Sequence, residues 1–237
     1  ALTYIASGLK NGDTPITGGL STTASAYISG SAGSASNVGT YAITQGTLAA
    51  SANYTLTFTP GVLTVNPATL AISGNAQSAV YGSGSSLSTS AFTATGLVNG
   101  DSVSAVTALY LGNAAVAVAT NAGTYANSIS ISSATGVRLA NYIISYVPGN
   151  LIVTPAALAV TANNQTMIYG STSLPNLTYA TSGLVNGDVL TGTLATTATP
   201  FNGTAGSASN VGSYNITQGT LTASANYTLN FTAGTLS

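Results

Sequence analysis

Bulky apolar side chains alternate with small polar ones along much of the chain, and the period is two. In Tyr54-Thr55-Leu56-Thr57-Phe58 the large residues take one face and threonine the other. Tyr227-Thr228-Leu229-Asn230-Phe231 repeats the pattern, and Tyr142-Ile143-Ile144-Ser145-Tyr146 nearly does. Successive side chains of a strand point to opposite faces, so this alternation predicts half-buried strands. Shorter pairs add more: Leu63 with Val65, Leu70 with Ile72, Leu158 with Val160, Tyr41 with Ile43, and Tyr214 with Ile216. Gly, Asn and Ser clusters separate them. No amphipathic helix stands out, and one short helical turn fits after each Asn-Gly-Asp.

The strands recur in a longer period. Asp13 closes Gly8-Leu9-Lys10-Asn11-Gly12-Asp13, Asp101 closes Gly96-Leu97-Val98-Asn99-Gly100-Asp101, and Asp188 closes Gly183-Leu184-Val185-Asn186-Gly187-Asp188. Val38-Gly39-Thr40-Tyr41 returns as Ala122-Gly123-Thr124-Tyr125 and as Val211-Gly212-Ser213-Tyr214. Asn53-Tyr54 returns as Asn141-Tyr142 and Asn226-Tyr227. These landmarks place repeats at 1–67, 68–154 and 155–237, joined near Pro67 and Pro155. The first has no counterpart of 155–175 and so lacks its first strands. About seven short strands per full repeat predict an all-β fold, a tandem array of immunoglobulin-like β-sandwich repeats of about 87 residues. A repeat of that size can close its own core. Joins of roughly four residues, each with a proline that interrupts the ladder, predict a stiff rod of beads.

Two repeated motifs carry structural readings. Asn11-Gly12-Asp13, Asn99-Gly100-Asp101 and Asn186-Gly187-Asp188 read as tight turns. Asn and Gly tolerate positive φ, and Asp accepts backbone N–H bonds. A cation contact is the competing reading, and a lone carboxylate makes a poor ion site. Tyr41, Tyr125 and Tyr214 read as structural tyrosines whose hydroxyls fold back to the backbone, as in the tyrosine corner of immunoglobulin-like domains. The Asn-x-Thr triplets, such as Asn53-Tyr54-Thr55 and Asn215-Ile216-Thr217, are what chance produces in a chain this rich in Asn and Thr. An intramolecular Lys–Asn cross-link needs a lysine in each repeat, and the counterparts of Lys10 are Val98 and Val185.

Composition removes most chemistry. Only five side chains of 237 are charged, and there is no His, Cys or Trp. Acid–base catalysis needs two titratable groups in one site, and each repeat has a single carboxylate. No catalytic residue, metal site or cofactor site is therefore expected, and the chain reads as no enzyme. Two cations far apart do not form the basic surface that nucleic acid requires. No apolar run approaches the ~18 residues of a membrane span. Few charges of either sign leave little repulsion between molecules, which suits a chain that associates.

The repeated residues resemble a known family. Tyr-Gly-Ser at 81–83 and 169–171, then Gly-Leu-Val-Asn-Gly-Asp, Val-Gly-Ser-Tyr-x-Ile-Thr-x-Gly-x-Leu, Asn-Tyr-x-Leu-x-Phe and a closing Pro-Ala recur in one order across the whole chain. This set is similar to the MBG domain of the YGX type, with a departure between Ala105 and Arg138. The resemblance implies large secreted bacterial surface proteins, including filamentous-haemagglutinin-like adhesins, an extracellular location at the bacterial cell surface, and a stalk or filament role. The expected partners are neighbouring repeats of the same or an identical chain. Two other readings stand beside this one. One is a self-assembling fibre subunit joined by β-strand complementation. The other is an adhesive module for host or biofilm glycans.

Overall fold

In the computed structural model, which describes residues 1–237, 43% of the residues lie in strands and 1% in a helix. The fold is all-β, built from small curled sheets. The single helical turn is Leu139–Asn141, directly ahead of Tyr142, and none follows an Asn-Gly-Asp. Residues 68–154 hold nine strands and 155–237 hold six. The stretch from Ala105 to Arg138 that departs from the repeat pattern lies almost wholly in two long strands, Ser102–Tyr110 and Gly123–Val137, and their connection.

The chain divides into two compact units. One comprises Ala1–Gly74, Phe92–Thr107 and Ile131–Val147; the other comprises Asn75–Ala91, Ala108–Ser130 and Pro148–Ser237. The middle repeat contributes strands to both.

In the first unit, Ala68–Gly74 is the central strand of a three-stranded sheet. It runs parallel to Tyr142–Val147, with Leu70 opposite Ile144, and antiparallel to Phe92–Thr95. Leu70 and Ile72 are fully buried on it. A second sheet has Gly39–Thr44 at its centre, paired antiparallel with Ser21–Thr22 and Gly61–Val65.

In the second unit the same plan returns with new residues. Ala156–Ala162 is central, parallel to Tyr227–Thr232 and antiparallel to Tyr179–Ser182. Its alternate residues Ala156, Leu158, Val160 and Ala162 are buried. Tyr214–Thr217 is central in a sheet with Ala195–Thr196 and Gly234–Leu236. Here too Gln77–Val80 runs parallel to Gly149–Thr154, which pairs antiparallel with the start of Gly123–Val137. The opening segment of the middle repeat thus serves two sheets in succession, changing from one to the other at Gly74-Asn75-Ala76.

Equivalent residues of the first and third repeats differ in burial. Ile216 and Leu236 are 0% and 1% exposed, whereas their counterparts Ile43 and Leu63 are only half-buried. Ile216→Ala is expected to cost about 2–5 kcal/mol, the range for a large aliphatic removed from a closed core. Ile43→Ala should cost markedly less. Urea unfolding of the two variants checks this, and equal losses would contradict the difference in packing.

Candidate functional site: an aspartate–tyrosine joint

The three Asn-Gly pairs sit at the tips of tight turns. Asn11, Asn99 and Asn186 have φ of 55°, 57° and 57°, and Gly12, Gly100 and Gly187 have 70°, 67° and 76°. Two successive residues with positive φ make the turn type for which Asn-Gly is the favoured pair. Each turn closes on the aspartate: the N–H of Asp13, Asp101 and Asp188 donates to the carbonyl of Lys10, Val98 and Val185 at 2.9, 3.0 and 3.0 Å.

The aspartate side chains accept from phenol hydroxyls rather than from backbone N–H groups. Tyr54 donates to Asp13 Oδ2 at 2.7 Å, Tyr142 to Asp101 Oδ2 at 2.9 Å, and Tyr227 to Asp188 Oδ2 at 2.7 Å. Each hydroxyl also accepts the first N–H of the turn, from Lys10, Val98 or Val185. A hydroxyl has one proton and two lone pairs, so it can serve both groups at once. Donation to an ionised acceptor makes this about twice as strong as a neutral hydrogen bond. The tyrosine that begins the Asn-Tyr strand therefore locks a turn about forty residues earlier in the chain.

The residue before that tyrosine reaches the preceding repeat. Asn141 Nδ2 donates to Asn37 Oδ1 at 3.0 Å, and its own Oδ1 accepts the Val38 N–H at 2.9 Å. Asn226 does the same with Asn121 Oδ1 and the Ala122 N–H, at 2.9 and 2.8 Å. The backbone of Asn37 and of Asn121 is in turn held from the other side. Tyr41, Tyr125 and Tyr214 fold back onto the carbonyls of Asn37, Asn121 and Asn210, at 2.7, 2.9 and 2.8 Å. These tyrosines are half-buried.

A second donor completes each of the two joints. In the first unit Arg138 Nη1 lies 2.7 Å from Asp101 Oδ1; the aspartate side chain is 2% exposed and the arginine 33%. Asn99 crosses to the first repeat, its carbonyl accepting from Gly33 N–H and its Oδ1 from Ala35 N–H. In the second unit the arginine's place is taken by Tyr81, which donates to Asp188 Oδ2 at 2.8 Å and meets the Tyr227 ring edge-on at 5.5 Å. Gly82 follows it with φ 80° against the Val185 side chain, where a Cβ would collide. Asn186 Nδ2 donates to Val118 O beside it. Tyr-Gly-Ser at 81–83 thus supplies a hydroxyl to the next repeat's aspartate and a glycine that lets the backbone approach, whereas Tyr169 of the copy at 169–171 is exposed.

A family model for the MBG domain of the YGX type matches residues 1–64, 70–152 and 158–237. The chain belongs to the MBG family. No curated protein and no solved structure matches it. MBG repeats of this kind are typical of large bacterial surface proteins. In this MBG tandem the family's Tyr-Gly signature at 81–82 does its work at the joint. Of the residues singled out in the sequence, Asp101 and Asp188 each lie in a joint, while Asp13 meets Tyr54 alone. Sequence reasoning missed Tyr54, Tyr142 and Tyr227 as aspartate partners, and Asn141 and Asn226 as clamps. The available signal was their recurrence at one phase with the three aspartates.

Burial, followed by the neighbouring carboxylate, holds the Tyr142 and Tyr227 hydroxyls above the ordinary tyrosine value, although the turn backbone and, for Tyr142, Arg138 pull the other way. Burial likewise raises Tyr110, which stacks edge-on against Tyr125. A raised folded-state value means that the stability these groups contribute is complete below about pH 10, the unfolded value. It is lost as pH rises through the folded values. In a titration followed at 295 nm, these three of the thirteen tyrosines should ionise late, together with a loss of near-ultraviolet dichroism. Tyr142→Phe with Tyr227→Phe should remove two of the late groups. Uniform titration at the ordinary value would contradict the assignment.

Proposed function

We propose that this chain is a structural repeat segment, the stalk or filament of a secreted bacterial surface adhesin or extracellular fibre, without catalytic activity of its own. The observation that carries the reading is the joint. Two successive boundaries use the same asparagine clamp and the same aspartate–tyrosine lock, and every charged side chain except Lys10 is committed to such a lock. Side chains that could bind a soluble ligand are used to lock the Asn-Gly turns and, through Tyr81 and the asparagine clamps, to hold one repeat to the next. Tyr54, Tyr81, Tyr142 and Tyr227 are occupied in the same way, which leaves the glycan-binding reading with less support, although Tyr4, Tyr169 and Tyr179 are exposed. The family assignment and the low charge favour an extracellular location. We further propose that each complete repeat closes as an immunoglobulin-like sandwich of about 87 residues. The opening segment that serves two sheets and the tyrosine corner both support this.

A spacer is defined by its length, and its surface can be exchanged. Replacing the segment within its surface polypeptide by unrelated β-repeats of equal length should leave adhesion intact while the distal end stays displayed. Loss of adhesion with display unchanged, or binding of host cells by the isolated segment, would overturn the reading.

A further inference from the structure

Four Asn-Gly pairs occur in the chain, and three of them form the turns that the tyrosines lock. The fourth, Asn202-Gly203, lies in the loop between Ala195–Thr196 and Tyr214–Thr217 and belongs to no lock. Asn-Gly is the pair most open to one spontaneous reaction. Glycine has no Cβ, so its backbone nitrogen has a clear path to the side-chain carbonyl carbon of the asparagine before it. Attack there closes a five-membered succinimide ring. The ring closes only when the glycine nitrogen is nearly eclipsed with the asparagine Cβ about the Cα–C bond.

The locked turns oppose that geometry. Their paired positive φ values and closing N–H···O bonds define a mirror-image type I turn, in which ψ of the asparagine is about +30°. The glycine nitrogen then stands roughly 150° away from Cβ, almost anti to it. Reaching the ring means rotating the peptide plane through that angle and breaking the bond that closes the turn. Two of the side chains are held as well. Asn99 Oδ1 accepts from Ala35 N–H at 3.1 Å, and Asn186 Nδ2 donates to Val118 O at 3.1 Å.

Asn202 has none of these restraints. Its φ lies outside the left-handed region, and no backbone hydrogen bond closes a turn across Asn202-Gly203. Instead Thr204 N–H donates to Asn202 Oδ1 at 3.0 Å. That bond draws the side-chain carbonyl forward over the Gly203 peptide. It also places a donor where the carbonyl oxygen becomes an oxyanion when the nitrogen attacks. Asn202, Gly203 and Thr204 are all exposed, and the space beside Gly203 is open. The loop stays exposed beside a docked neighbour. In the first repeat its counterpart Ser29-Gly30-Ser31 is exposed, although the Asn99 turn docks close by on Gly33 and Ala35.

The geometry points to Asn202 as a site of spontaneous deamidation, with water as the only co-reactant, in a chain whose other Asn-Gly pairs are held against the reaction by their turns. The Gly203 nitrogen gives up its proton and bonds to Asn202 Cγ. The Cγ–Nδ2 bond breaks, and the nitrogen leaves as ammonia. Water then opens the imide at either carbonyl. Opening at Cγ gives aspartate, and opening at the backbone carbonyl gives isoaspartate, in which the chain runs through the side chain. Either product adds a carboxylate to a chain of formal net charge -1, in an exposed loop rather than at a joint. A carboxylate formed at Asn99 or Asn186 would instead lie beside a locked aspartate and repel it.

The test uses the full chain, kept at mildly alkaline pH either folded or unfolded in guanidinium. Samples are digested and mapped by mass spectrometry, and isoaspartate is counted by enzymatic methyl transfer. In the folded chain Asn202 should convert at least about tenfold faster than Asn99 or Asn186, a barrier difference of about 1.4 kcal/mol. In the unfolded chain the three should convert at similar rates. Asn202→Gln should abolish the early acidic species seen on isoelectric focusing. Equal rates at Asn202 and Asn99 in the folded chain would overturn the inference. So would rates at Asn99 and Asn186 that unfolding does not raise, or an early acidic species that persists in Asn202→Gln.

Discussion

A tyrosine hydroxyl that donates to a carboxylate at the tip of an Asn-Gly turn organises this chain. An ionised carboxylate in a protein interior is costly unless its lone pairs are met. At Asp101 they are met by Tyr142 and Arg138, and at Asp188 by Tyr227 and Tyr81. The tyrosine partners come from distant parts of the chain, so meeting them fixes where the turn and the Asn-Tyr strand stand, and at Asp188 the Tyr81 hydroxyl ties in the preceding repeat as well. All three acidic residues of the chain accept from a tyrosine hydroxyl, and only Asp101 is fully buried. Scarce charge here acts as a set of anchor points.

The rest of the architecture follows from what the lock positions. The tyrosine begins the strand that runs parallel to the opening strand, and the asparagine before it clamps the turn ahead of the tyrosine corner. Tyr142 and Tyr227 are both 8% exposed where the opening strand is present beside them. Tyr54 makes the same hydrogen bond without such a strand and is only half-buried. The first and third repeats are alike in sequence over most of their common length, yet their packing differs because one neighbour differs.

Much of this was legible in the sequence, for identifiable reasons. Strand periodicity and turn chemistry are local, so Tyr227–Thr232 and the Asn-Gly turns could be read from a few adjacent residues. The family resemblance rested on motifs spread along the whole chain. Pairings between distant segments were not legible. The Tyr142–Asp101 and Tyr81–Asp188 contacts join residues 41 and 107 positions apart. No rule of spacing links them, although recurrence of Asn-Tyr at one phase with Asn-Gly-Asp was a usable hint. The parallel pairing of Ala156–Ala162 with Tyr227–Thr232 was equally hidden, because alternation marks a strand without naming its neighbour. The two compact units divide the middle repeat, since grouping in space follows contacts across the joints and not sequence similarity.

The claim that the hydroxyl–carboxylate contact locks the Asn-Gly turn is tested most directly by a double-mutant cycle on Tyr227→Phe and Asp188→Asn, read by urea unfolding. Asp188→Asn keeps the shape of the side chain and removes its charge, and Tyr227→Phe removes only the oxygen. A direct contact of this kind predicts a coupling energy of about 1–3 kcal/mol between the two changes. Losses that simply add, to within about 0.5 kcal/mol, would mean that each residue acts through other neighbours and that the hydroxyl does not lock the turn.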